Sequence, residues 1–303
     1  MPHVTVGVDG SAESAAAAEW AAREAVLRKV ALRLVLVADS PDPPRGGADE
    51  GGSGDDVLSG TAQALRAGCP GLEVRVDRLS GRPPPVLARE AAEAELVVLG
   101  SRGLGSVRGF LLGSVAMATI IETDRPVVLV RPDRRPRPEG EAYAEPLSAD
   151  RPRSGRSREA ADDSGPVVVG VDVREACEPV LDFAFGEAAL RGCRLGAVHS
   201  WSLPPFGRDA LALEMALREM RPDVVAELGK VLAPWRQRYP SVGVDELVPV
   251  GGASERLVHA AEGAALVVVG RRVRTSRVGA HVGPVTHAVI HHCESPVAVV
   301  AHD

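Results

Sequence analysis

Aromatic side chains are scarce in this chain of 303 residues, which has only four Phe, three Trp and two Tyr. Its cores must therefore be built from Ala, Val and Leu. Lysine stands only at positions 29 and 230, so the positive charge is almost all Arg, a bias that speaks of a GC-rich genome more than of a function. The four cysteines, at 69, 177, 193 and 293, form no CxxC and no zinc-like spacing, and are expected as small incidental thiols of a reducing compartment. No apolar run approaches membrane-spanning length, and Met1 leads directly into a strand rather than a charged-then-apolar leader. A cytoplasmic protein is expected. A net charge of −6 argues against a general binder of nucleic acid or of anionic membranes. Missing too are the Walker G-K-[ST], the GxGxxG fingerprint, the G-x-S-x-G elbow and HExxH. Ser101, Ser106 and Ser114 have no evident His partner, so no catalytic set is expected.

What is present is an average globular balance, 45% hydrophobic and 25% charged, in a length that suits two ordinary domains. The most informative stretch is Glu95 to Val115, ELVVLGSRGLGSVRGFLLGSV. Leu96 to Leu99 is apolar throughout, as a central parallel strand must be when both its faces are covered. It breaks at Gly100 into a loop with glycines at 100, 103, 105, 109 and 113, positions suited to positive φ or to close approach of a ligand. The loop ends at Gly113 and Ser114, where a helix is expected to open. Unpaired N–H groups and the positive end of the dipole make such a helix start a natural seat for phosphate.

Around this stretch, strands alternate with helices. Residues 3–8 read as a first strand, followed by a helix capped by Ser11, with Trp20 and Leu27 marking its buried face. Strands are expected at 32–38, 72–79, 96–99 and 127–130, and helices at 57–67, 85–94 and after Gly113; residues 39–56 read as a loop. This is the pattern of right-handed βαβ units around a parallel sheet. Asp9, Val37 and Gly100 then fall at strand carboxyl ends, where such sheets bind their ligands.

Residues 133–164, rich in Pro, Arg and acidic groups, read as a solvated linker. The interspersed acids argue against an Arg-rich nucleic-acid arm. Beyond it the chain starts again. PVVVGVD at 166–172 repeats VTVGVD at 4–9, ALVVVG at 265–270 repeats ELVVLG at 95–100, and ESPVAVV at 294–300 repeats DRPVVLV at 124–130. The expected fold is α/β, two tandem Rossmann-like doubly wound domains, each a five-stranded parallel sheet flanked by helices. Their expected limits are 1–132 and 165–303.

The spacing Gly100, Gly103, Gly113-Ser114 is G-x2-G-x9-G-[ST]. It resembles the nucleotide signature of the ATP-binding branch of the universal stress proteins, and both halves together look like a tandem member of that family. The resemblance implies that Val8 and Asp9 lie against the nucleoside and that Val37 faces the adenine. Leu99, Gly100, Arg102 and Gly103 would shape the ribose and phosphate contacts, and Gly113, Ser114 and Val115 would receive the phosphates. The ligand would be ATP, alone or with magnesium. The family's usual pairing of last strands implies an internal pseudo-dimer of the two halves, with a homodimer and an unidentified protein partner beyond it.

The second half departs from the signature, with Val273 at the second glycine and Pro284 at the hydroxyl position, so nucleotide binding there is doubtful. Arg271, Arg272, Arg274 and Arg277 are candidates for a different anion contact, with a solvated basic loop as the alternative. His287 and His291 share a helix face without a third ligand and read as polar surface. Helix-like sequence at 209–238, apolar at Leu211, Met215, Leu217, Met220 and Val224, reads as packing or a subunit contact. The leading function is nucleotide-responsive stress tolerance or signalling. The alternatives are a slow ATPase or nucleotidyl-transfer enzyme relying on Arg102 or Arg108, and a nucleotide-free dimerising scaffold.

Overall fold

A computed structural model describes residues 1–38, 54–101, 113–132, 165–175, 177–202, 210–273 and 282–303, with backbone alone for 210–217. The first half runs β1 (His3–Gly7), α1 (Ala12–Arg28), β2 (Ala31–Ala38), α2 (Gly54–Gly68), β3 (Val74–Ser80), α3 (Pro83–Ala91), β4 (Leu96–Gly100), α4 (Ser114–Glu122) and β5 (Val127–Val130). The second repeats the order with β6 (Val167–Gly170), α5 (Glu178–Arg191), β7 (Leu195–Val198), α6 (Ala210–Arg238), β8 (Val244–Leu247), α7 (Ala253–Ala260), β9 (Leu266–Arg272), α8 (Pro284–His292) and β10 (Val297–His302). The expected alternation is present. Boundaries move by a few residues: α2 begins at Gly54, inside the segment read as loop, and α3 begins at Pro83. Proline suits that first helical turn, where its missing N–H is not needed.

The strands form one ten-stranded sheet in the order β3-β2-β1-β4-β5-β10-β9-β6-β7-β8. Within each half every pairing is parallel, and the strand order reverses between β1 and β4, and between β6 and β9. The halves join through β5 and β10, which pair antiparallel with Ala298 opposite Val128. Side-chain alternation splits the core into two layers. Val4, Val6, Leu34, Leu96 and Val98 face α1 and α2, and Val97, Leu99, Val127 and Leu129 face α3 and α4, with the same division in the second half. The few aromatics concentrate there, Phe185 stacking with Trp235 and Tyr239 at 6.1 and 5.7 Å.

The buried face of α1 differs from the sequence expectation. Trp20 is buried, but Leu27 is only half-buried, and Glu24 takes a fully buried place. The reason lies across the halves. Glu24 and Arg28 of α1 meet Glu187 and Arg191 of α5, each acid bonding an arginine of its own helix or of the other. Arg28 Nε donates to Glu24 Oε1 at 2.7 Å, and Arg191 donates to both Glu24 and Glu187. Arg191, Glu24 and Glu187 side chains are only 3%, 2% and 4% exposed. Burial and the neighbouring Glu24 carboxylate push Glu187 up to about 7, against the pull of the two guanidinium groups.

Two further arginines cross the junction with reciprocal roles. Arg131, just after β5, donates to the Ile290 and His291 carbonyls at the end of α8, at 2.6 and 2.9 Å. Arg271 of β9 donates to the Thr123 carbonyl at the end of α4, at 2.8 Å. Last-turn carbonyls have no intrahelical partner, and a cation there suits the dipole.

Candidate functional site

The carboxyl ends of β1 and β4 part at the reversal of strand order, and a cavity of about 230 Å³ opens there. Its floor comes from the strands: Gly7, Val8 and Asp9 from the end of β1, Val35 and Val37 from β2, Leu99 and Gly100 from β4. Gly113, Ser114 and Val115 at the start of α4 form one wall, and Pro83 and Leu87 of α3 another. Eight residues singled out from the sequence, Val8, Asp9, Val37, Leu99, Gly100, Gly113, Ser114 and Val115, therefore come together in one crevice. Arg102 and Gly103, with Gly105, Ser106, Arg108 and Gly109, lie outside the described residues, as do 39–53, 133–164, Arg274, Arg277 and His281.

Asp9 is held in a defined pose. Its carboxylate accepts from the Ser11 backbone N–H at 3.0 Å and from the Ser11 hydroxyl, while its own N–H donates to Ser14 Oγ at 3.3 Å. Ser11 Oγ in turn accepts from the Ser14 N–H at 3.1 Å, capping α1 as its residue type and position imply. Asp9 itself is exposed at the cavity rim.

The wall at the start of α4 is equally specific. Gly113 is the N-cap of α4 with φ −62°, and it brings no side chain to satisfy the first-turn N–H groups. Ser114 is exposed beside them and lines the cavity. Open N–H donors, a hydroxyl and the positive end of a dipole form an anion seat. Ser101, weighed as a nucleophile from the sequence, is buried and donates its hydroxyl to the Val130 carbonyl at 3.2 Å.

Gly100 needs a correction. It is not in the positive-φ region, and its conformation is not what requires glycine. A Cβ there would stand 2.6 Å from the Glu13 carbonyl carbon and 2.9 Å from the Ser14 N, so the constraint is close packing of β4 under the start of α1. Gly10, not singled out as a backbone special, does take positive φ (83°) and turns the chain from β1 into α1. Sequence reasoning also missed Gly7, Val35, Ser14, Pro83 and Leu87 as lining. The Gly81-Arg82-Pro83 turn at the end of β3 was the available signal for α3.

In the second half a larger crevice of about 1070 Å³ opens at the β6/β9 reversal, lined by Asp172, Trp201, Met220, Glu227, Gly270 and Arg272 among others. Size is not the phosphate chemistry. Pro284 occupies the first turn of α8 and supplies no N–H, and Thr286 Oγ1 is already bonded to the Gly270 carbonyl at 2.7 Å. Ser200, at the register position of Val37, donates to the Gly251 carbonyl at 2.6 Å, and His199 Nδ1 lies 3.0 Å from the Val171 carbonyl. Asp172 keeps the turn of Asp9, accepting from the Arg174 N–H at 3.0 Å. The described arginines offered for an anion are otherwise engaged: Arg271 is buried on Thr123, and Arg272 pairs with Glu175. Val273 has no positive φ. Of the apolar residues read on α6, Val224 packs against the core and Met220 is exposed at this crevice, while the side chains of Leu211, Met215 and Leu217 lie outside the described residues; Leu228 and Leu232 are buried.

The His287 and His291 rings lie 4.3 Å apart on α8, tilted by 40° to one another, and burial together with the neighbouring imidazoles lowers His287. Among the described residues no group of three or more His, Cys, Asp or Glu is placed to hold a metal ion, and no helix is long and apolar enough to cross a membrane.

Comparison with known proteins agrees with the duplicated architecture. The model of the universal stress protein family matches twice, over residues 1–131 and 164–301. Universal stress protein Rv1996 of Mycobacterium tuberculosis is 33% identical over 324 residues, covering 98% of this chain and 94% of its own. Universal stress protein Rv2005c of the same species is 31% identical over 313 residues, covering 98% and 96%. In three dimensions, a universal stress protein from Archaeoglobus fulgidus has a TM-score of 0.63 at 16% identity, covering 99% of this chain and 98% of that one, which bears on the fold. With two family matches spanning nearly all of both halves, and relatives of the same tandem length, the chain belongs to the universal stress protein family.

Proposed function

We propose that this universal stress protein binds ATP, alone or with magnesium, in the crevice of its first half, and acts as a nucleotide-responsive protein in stress tolerance or signalling rather than as an enzyme. The observation that carries the reading is the convergence of Asp9, Gly113 and Ser114 on one cavity at the β1/β4 reversal. In this reading Val8 and Val37 pack on the adenosine, Asp9 accepts from ribose or base donors, and Leu99 and Gly100 form the floor. Arg102 and Gly103 complete the phosphate contacts, and Gly113, Ser114 and Val115 receive the phosphates. The cavity of about 230 Å³ is smaller than the roughly 300–1,000 Å³ usual for ligand pockets. It suits the nucleoside end, with the phosphates resting on the open start of α4.

The units 1–132 and 165–303 act as a division of labour, the first binding nucleotide and the second contributing the pseudo-dimer partner. Occupancy stabilises one state by mass action and changes the surface offered to a protein partner or a second copy of the chain. The test is to release and identify the nucleotide carried by the gently purified protein and count moles per chain. Adenine nucleotide near one per chain is expected, and Gly113→Val should abolish it. Absence of nucleotide, together with no thermal shift from added ATP, would reduce the protein to a dimerising scaffold. Magnesium-dependent turnover would make it a slow ATPase instead.

A further inference from the structure

Helix α4 has its start in the first-half crevice and its end against a residue of the other half. Its nine residues, Ser114 to Glu122, carry the anion seat at Gly113-Ser114 and terminate at Thr123. The Thr123 carbonyl accepts from Arg271 Nη2 at 2.8 Å. Arg271 is 3% exposed. The Asp124 carboxylate stands 4.0 Å from it but is 88% exposed, so water screens that pair while the helix end feels the guanidinium in a dry setting. Burial lowers Arg271 from the usual arginine range, the mark of a cation held where it is costly. At the matching position of the first half, one residue past the strand-end glycine, stands Ser101, which reaches no helix end of the other half and bonds Val130 instead.

We infer that Arg271 is a positioning residue for phosphate binding in the first half: the second domain fixes and electrically completes the helix whose other end receives the nucleotide's charged tail. The inference rests on the nucleotide reading of the first crevice. Its physical content is twofold. A helix pinned at its last carbonyls presents its first N–H groups at a set depth below the cavity. The cation also neutralises the negative end of the α4 dipole, so that its positive end, about 13 Å away, acts on phosphate with less opposition. The second domain, poor in phosphate donors among its described residues, would thus have a part in binding the nucleotide of the first half without holding it.

The structure provides its own control. Arg131 performs the same cap on α8 through the Ile290 and His291 carbonyls, but α8 starts at Gly283-Pro284, away from the first crevice. Titration calorimetry on the full chain should compare wild type, Arg271→Met, Arg271→Lys and Arg131→Met with adenosine, AMP and ATP, alongside melting temperatures. The expected result for Arg271→Met is ATP weakened by about three- to tenfold with adenosine unchanged within about twofold, so that the loss grows with phosphate number. Arg271→Lys should recover most of the ATP affinity. Arg131→Met should lower the melting temperature and leave all three ligands unchanged. Equal losses for adenosine and ATP, or the same ATP loss from Arg131→Met, would overturn the inference and leave Arg271 a structural cap. If Arg271→Met does not fold, Arg271→Gln, which offers a donor to the Thr123 carbonyl without the charge, decides: equal losses of ATP and adenosine in that variant also overturn it. Wild type that binds none of the three ligands overturns the nucleotide reading itself, and this proposal with it.

Discussion

Replacing Arg191 by methionine should be among the most damaging single changes on the described surface between the halves. Arg191 is 3% exposed and serves Glu24, at 2% exposure, and Glu187, at 4%. Methionine fills similar volume, so the loss is electrostatic rather than a cavity. Two carboxylates are left in a dry space with Arg28, itself 16% exposed, as the remaining cation of the cluster. Breaking a buried pair by removing one partner costs about 3–5 kcal/mol, because the desolvation of the survivor is no longer offset. With a urea m-value of about 3 kcal/mol/M, such a loss moves the unfolding midpoint by roughly 1–1.7 M. The measurement is urea denaturation followed by circular dichroism at pH 8, above the value of about 7 that Glu187 has in the wild-type fold; losing Arg191 pushes Glu187 higher still. Replacing Glu24, Arg28, Glu187 and Arg191 together with apolar residues of like size should restore much of the loss, since no charge is then stranded. A midpoint for Arg191→Met within about 0.3 M of wild type would refute this account and make the cluster a surface-like, energetically idle set of pairs.

Glu187 also gives the stability a pH dependence of known sign. Its folded value, about 7, lies above its ordinary 4.5, so the folded chain holds a proton that the unfolded chain gives up. This contribution is complete below about pH 4.5 and is lost as pH rises through 7, at no more than about 1.4 kcal/mol per pH unit. Glu187→Gln, measured by denaturation between pH 5 and 8, should flatten that slope; an unchanged slope would assign it elsewhere. Gly100→Ala should destabilise by about 1–3 kcal/mol, since its Cβ would meet Glu13 backbone at 2.6 Å and backbone cannot step aside. A melting temperature equal to wild type would show that α1 can shift. In the first crevice, Ser114→Ala and Asp9→Ala should each weaken ATP about tenfold or more by calorimetry, whereas Asp172→Ala should leave the stoichiometry unchanged.

Much of this architecture was legible because parallel strands buried on both faces leave apolar runs that no other element needs: LVVLG at 96–100, VVVG at 167–170 and LVVVG at 266–270. The crevice was legible for a related reason. Asp9, Val37 and Gly100 are each read as strand-end residues, and parallel topology gathers strand ends. What the sequence concealed is long-range. Glu24 and Glu187 look like solvated helix residues, and only the meeting of α1 with α5 explains their burial. Arg271 looks like the first residue of a basic loop, yet β9 runs two residues past Gly270 and carries it to Thr123. The role of Gly100 was misassigned because a glycine required by close backbone packing and one required by positive φ are written with the same letter.

The antiparallel seam between β5 and β10 sets the outlook of the whole molecule. The strands of one half run antiparallel to those of the other where the halves meet, so β5 and β10 carry their carboxyl ends to opposite edges of the sheet. Helix α4, which lines the first crevice at its start and meets Arg271 of the second half at its end, is accordingly touched by both halves.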